Sequence, residues 1–168
     1  ADAMYSGILV DTDTFVTKTG VRTFEAASFL KRSGADVTRV RKMFRTDLEV
    51  YKQKVAGVRN AEIFLDDYVI GTLPSEGVDS PTVLAAQIAN ELLDIEGVKA
   101  SFMLTQIKDT IYISARSIDE VNVQIIMERM GGGGHATVAG AQLQGCTLEE
   151  GKQQLQDVLE KMVVEGDI

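Results

Sequence analysis

A single cysteine, Cys146, stands in 168 residues, so no internal disulfide can form, which suits a reducing compartment. Apolar runs are short: the longest, such as Gly7-Ile8-Leu9-Val10, fall far below the roughly 20 residues needed to span a bilayer. No signal-peptide pattern, internal repeat or low-complexity segment is visible. His135 is the only histidine, so the first 134 residues offer no imidazole for a metal cluster or a nucleophile–base arrangement. Positive charge is also scarce, with 17 Lys and Arg against 25 Asp and Glu, a net charge of −8 and a pI near 4.7. Long nucleic acids are gripped by basic stripes that displace counterions. Such a partner is not expected here, although a pocket for one or two phosphates is compatible with the balance. The 45% hydrophobic and 25% charged shares are ordinary for a globular protein that builds its core without staples. Ala1 stands without a nearby initiator methionine, so the chain is expected to be cut from something longer.

Along the chain, Met4 to Val10 reads as a buried strand that delivers Asp11 at its end. Helices follow. Thr23 can cap one with Phe24, Ala27 and Leu30 on one side, stopped by Gly34, and Asp36 can cap the next. Thr46-Asp47-Leu48-Glu49 fits a capping box, with Leu48, Tyr51, Val55 and Val58 as one apolar stripe. Glu62 to Leu73 reads as two short strands around Asp66-Asp67, and Ser80-Pro81 as a helix start with Leu84, Ile88, Leu92 and Ile95 on one face. Val98 to Gln106 alternates as a half-buried strand, and Thr110 to Arg116 is a second strand after a Lys108-Asp109 turn. Ser117-Ile118-Asp119-Glu120 predicts a helix through about Met130, and Ala141 to Leu143 a short strand. Thr147-Leu148-Glu149-Glu150 predicts a last helix with Leu148, Leu155, Leu159 and Met162 inward.

Three places could carry chemistry. Gly131-Gly132-Gly133-Gly134-His135 has a large entropic cost in the unfolded chain, and glycine lets backbone N–H groups come close to an anion. His135 can donate to a phosphate or lie against a base; the plain alternative is a helix C-cap with an incidental histidine. Tyr112, Ser114 and Arg116 share one face of their strand. Arg116 is placed either to fork onto a phosphate or to pair with a surface carboxylate. Asp11-Thr12-Asp13 offers carboxylates suited to a divalent cation, but on spacing alone a turn-forming aspartate is the stronger reading. Arg22 could lie near the same strand end or play a structural role.

Gly7-Ile8-Leu9-Val10-Asp11-Thr12 and the Gly131–His135 loop together resemble the DHH phosphoesterases that carry a DHHA1 domain. The stretch from Thr19 to Asp36, with Ile113-Ser-Ala-Arg-Ser117 and Asn122-Val-Gln124, is most similar to the membrane-anchored cyclic-di-AMP phosphodiesterases of Gram-positive bacteria, the GdpP type. The resemblance implies an α/β fold. A mixed-sheet DHHA1-like domain with flanking helices would occupy residues 60–168, joined by a connecting helix over 47–59 to the C-terminal strand-and-helix remnant of a DHH domain over 1–46. It implies that Asp11 is one ligand of a two-manganese (Mn2+) centre. It also implies that Ser114, Arg116, Gly132, Gly133, Gly134 and His135, with Arg22, contact a cyclic or linear dinucleotide. A homodimer is compatible with it. The implied reaction opens cyclic-di-AMP to pApA in a cytoplasmic domain tethered to the membrane by other sequence. The Asp-His-His motif is absent from these residues, so the chain alone is expected to be inactive and to make no membrane contact.

Overall fold

The computed structural model describes all 168 residues, which form two compact units, Ala1–Asp47 and Leu48–Ile168. No helix is long and apolar enough to cross a membrane.

The first unit is helical: α1 (Asp2–Asp11), α2 (Val21–Arg32) and α3 (Val37–Met43). The strand expected over Met4 to Val10 is therefore a helix. This unit holds no other strand with which to pair, and a lone extended segment would leave its N–H and C=O groups without partners. A helix satisfies them within the segment. Thr12, Ala27, Leu30, Ala35 and Val40 are buried. Phe15 stacks on Phe24 with centroids 5.3 Å apart. Thr23 does not cap α2 but sits in its first turn, where its hydroxyl accepts the Gly20 N–H at 3.2 Å. Asp36 does cap α3, accepting from the Arg39 N–H at 3.1 Å, and that bond holds its carboxyl below the usual value.

The second unit opens with α4 (Leu48–Arg59), β1 (Glu62–Phe64), β2 (Tyr68–Leu73), α5 (Pro81–Leu92), β3 (Ala100–Ile107) and β4 (Thr110–Ser117). It continues with α6 (Val123–Arg129), β5 (Gly133–Gly134), β6 (Val138–Gln144) and α7 (Leu148–Glu165). The strands form one sheet in the order β1-β2-β3-β4-β6-β5. Only β2 and β3 run parallel, and α5 is the crossover that such a pair requires. One face carries Phe102, Leu104, Ile111, Ile113 and Ala115, covered by Ile126 and Met127 of α6 and by Leu155 and Leu159 of α7. On the opposite face Val69, Leu73 and Met103 pack against Leu84, Ala85, Ile88 and Leu92 of α5, with Val50 and Val58 of α4 at the margin.

Four local expectations change. On α4, Leu48, Tyr51 and Val55 are exposed, and Val50, Gly57 and Val58 face inward. Gly57 marks that face, because a Cβ there would lie 2.6 Å from Ile88 Cδ1, and the Ile88 side chain would have to shift to admit it. β3 is buried on both sides rather than half-buried, since α5 covers Ser101 and Met103, and the Ser101 hydroxyl donates to the Ala89 carbonyl at 2.5 Å. Ser117 remains in β4, its N–H donating to the Thr137 carbonyl, so α6 starts later on an Asn122 cap. β6 runs longer than Ala141–Leu143, and the glycine run supplies a short edge strand.

The last capping box is as expected. Thr147 accepts from the Glu150 N–H while the Glu150 carboxylate accepts from the Thr147 N–H at 2.7 Å. That bond holds the Glu150 carboxyl below its ordinary value. Its contribution is complete above the ordinary glutamate range and is lost as pH falls through the lower folded value. Thr147→Ala is expected to lower stability by about 1 kcal/mol at neutral pH. Urea unfolding should show the gap from the parent protein narrowing in acid; a gap independent of pH would contradict the box.

Candidate functional site

The face that α5 shares with β3 and β4 is left uncovered over β6, β5 and the part of β4 beside Thr82, and the pairing register places its residues in rows. Arg116 stands opposite Val138, Ser114 opposite Gly140, and Tyr112 opposite Gln142. On the next strand Gly133 stands opposite Gly140. Beyond Gly134 the ladder continues, because the N–H groups of His135 and Val138 each donate to the other's carbonyl, at 2.8 and 3.2 Å. By the alternation of a sheet, Arg116, Val138 and His135 therefore form one row on the same face, with Arg116 and His135 about 10 Å apart. Next comes Ser114, Gly140 and Gly133, then Tyr112 and Gln142. The turn carrying His135 is pinned from two sides, since the carbonyls of Ala136 and Thr137 accept from the N–H groups of Val123 and Ser117.

A cleft of about 360 Å³ occupies this face, lined by Thr82 of α5, Tyr112, Ser114, Gly132, Gly140 and Gln142 among others. The side chains of Thr82, Tyr112, Ser114 and Gln142 make no hydrogen bond within the protein. Four polar groups thus converge without partners, and an external ligand can supply them.

Arg116 is half-buried, and burial holds its guanidinium below the ordinary arginine value. Its Nη1 donates to the Ala115 carbonyl at 2.8 Å, and no carboxylate lies within ion-pair distance. In a chain of net charge −8 the reading of Arg116 as a paired surface arginine therefore falls. A partly desolvated guanidinium without a counter-charge favours an incoming anion.

The glycines serve other ends than a ring of N–H donors. Gly131 has φ +76° and ends α6, and its N–H donates to Glu128 while that of Gly132 donates to Met127. A Cβ on Gly132 would lie 2.1 Å from the Gly140 carbonyl oxygen, and one on Gly134 2.5 Å from the Ala139 Cα. Both are required by close packing. Gly133 has neither a positive φ nor any atom within 4 Å of a built Cβ. Its open space faces the cleft row of Ser114 and Gly140, and nothing in the fold demands a glycine there.

Ser114, Arg116, Gly133 and His135 thus share one half-open sheet face and Gly132 lines the cleft beside Ser114, whereas Gly134, paired with the buried Ala139, belongs to the opposite face. Asp11 and Arg22 belong to the first unit, Asp11 as the exposed last residue of α1 and Arg22 exposed in the first turn of α2. No group of three or more His, Cys, Asp or Glu side chains in the chain is arranged to hold a metal ion. The residues present do not make a manganese centre. Sequence reasoning left Thr82, Gly140 and Gln142 out of the site and did not assign Tyr112 to it. The polar positions of β6, alternating with Ala139, Ala141 and Leu143, were the available signal, but the register that sets them beside β4 is not a local property.

Residues 67–165 match the family model described as the DHHA1 domain. The chain belongs to the DHHA1 family. This DHHA1 chain is 44% identical over 156 residues to the cyclic-di-AMP phosphodiesterase PdeA of Listeria monocytogenes, covering 92% of the chain and 24% of that protein. It is 40% identical over 163 residues to the cyclic-di-AMP phosphodiesterase GdpP of Bacillus subtilis, covering 96% of the chain and 25% of that protein. The chain thus spans about a quarter of the length of these relatives, and the likeness to the GdpP type is borne out. Its fold is shared with an exopolyphosphatase-related protein from Bacteroides fragilis, at a TM-score of 0.84 and 22% identity over 96% of this chain and 49% of that one.

The two central glycines should separate cleanly. Gly132→Ala is expected to cost roughly 1–3 kcal/mol, because the opposing atoms are backbone and cannot yield. Gly133→Ala should leave thermal unfolding unchanged or slightly higher. Equal losses in both, followed by circular dichroism, would show that Gly133 is also a packing residue.

Proposed function

We propose that this chain is the substrate-binding portion of a phosphodiesterase that opens cyclic-di-AMP to linear pApA. The observation that carries the reading is Arg116, a half-buried cation without a counter-charge, in one row with His135 and beside a bare glycine floor. The identity to cyclic-di-AMP phosphodiesterases over most of the chain supports the choice of substrate. Arg116 and His135 hold the phosphate, Ser114 donates to a phosphate or ribose oxygen, and Gly133 lets the ligand lie against the backbone. These groups hold and orient the dinucleotide.

In the reaction the oxygen of a water joins phosphorus, the ribose oxygen leaves with a proton, and the ring opens. The chain does not gather the ligands for the manganese chemistry expected of the family. Within this proposal Asp11 and Arg22 act with sequence outside these 168 residues, as does the membrane anchor. The chain alone is expected to bind the dinucleotide and leave it intact when manganese is added.

Calorimetric titration tests the binding claim. Arg116→Ala and His135→Ala should each weaken binding of pApA, for Arg116 by about 1.5–3 kcal/mol, the range for a lost charge-assisted bond. Arg116→Lys should rescue only part of it, because an ammonium cannot fork. Unchanged isotherms for Arg116→Ala and His135→Ala would place the phosphate elsewhere. Competition between cyclic-di-AMP and pApA distinguishes a cyclic from a linear preference.

A further inference from the structure

We infer that Tyr112 and Gln142 form a nucleobase subsite selective for adenine, an inference that rests on the dinucleotide reading above. The sheet face is graded along its strands, from an ionic row just outside the cleft to the rows that line it. Arg116 and His135 make an ionic row, and Ser114, Gly140 and Gly133 make a row with one hydroxyl and two bare backbones. Tyr112 and Gln142 then add an aromatic ring and an amide. Successive rows are two residues apart along the strand, about 6.8 Å. That order and spacing follow a nucleotide itself: phosphate, then sugar, then base.

The chemistry of the last row fits a base and little else. Tyr112 is half-buried, so its ring is held in place by the sheet while one side remains open to the cleft. Neither its hydroxyl nor the Gln142 amide is engaged within the protein. Base stacking on an aromatic face tolerates any base. Gln142 supplies the discrimination, because its amide carries one acceptor and one donor side by side. Adenine offers the complementary pair, the N6 amine and the N7 acceptor. Guanine presents O6 and N7, both acceptors, and would set one of them against the amide oxygen. Thr82, on the far wall of the cleft, leaves a further hydroxyl facing this end.

The test is calorimetric titration of the whole chain with pApA and with pGpG, for the parent protein and for Tyr112→Ala, Tyr112→Phe and Gln142→Ala. The parent should bind pApA more tightly than pGpG. Gln142→Ala should shrink that ratio roughly tenfold, mainly by weakening pApA. Tyr112→Ala should weaken both ligands roughly tenfold, and Tyr112→Phe should retain binding because the stacking face survives. Should Tyr112→Ala fail to fold, Gln142→Ala carries the test, since Gln142 is exposed. The subsite is overturned if the parent does not prefer pApA, or if Gln142→Ala leaves the ratio unchanged. In either case an affinity still lost in Arg116→Ala would leave the proposed function standing. A parent chain that binds neither dinucleotide overturns both.

Discussion

An α-helix with its side chains is about 10 Å wide, whereas six strands at about 4.8 Å spacing span about 24 Å. One helix cannot roof such a sheet. On one face the chain uses two, α6 and α7, and a continuous apolar core results. On the other face α5 lies over β3 and β4 and α4 lies over β2, so β6, β5 and the part of β4 beside Thr82 are left half-open. The site follows from that shortfall. Polar residues are tolerated at alternate positions of β4 and β6 where α5 stops short of covering them, and the same residues are then available to a ligand.

Within the open area, side chains and glycines divide the work. Gly132 and Gly134 bring the edge strand β5 close to β6, and Gly131 turns the chain out of α6 to reach it. The N–H groups of Gly131, Gly132 and His135 are spent on the fold, so the proposed function assigns anion binding to the guanidinium, the hydroxyl and the imidazole. Under the proposed function, the cation without a counter-charge is what would let an acidic chain hold a phosphate. A single partly desolvated arginine beside a cleft would serve that role without an overall basic surface.

Much of this was legible in the sequence. The period of two put Tyr112, Ser114 and Arg116 on one face, and the last capping box and the Ser80-Pro81 helix start fell where expected. The failures share a cause, which is that they depend on partners distant in the chain. Met4 to Val10 has strand-like residues but no strand beside it. The inward face of α4 is marked by the approach of Gly57 to Ile88, and not by its longest apolar stripe. Gly140 and Gln142 entered the site only through the pairing of β6 with β4.

Amide chemical-shift mapping with pApA addresses the open sheet face directly. The account predicts that the perturbed amides cluster at Thr82, in β4 from Tyr112 to Arg116, and from Gly131 to Gln142. Shifts concentrated instead on α6 and α7, or spread without a centre near Arg116, would contradict it.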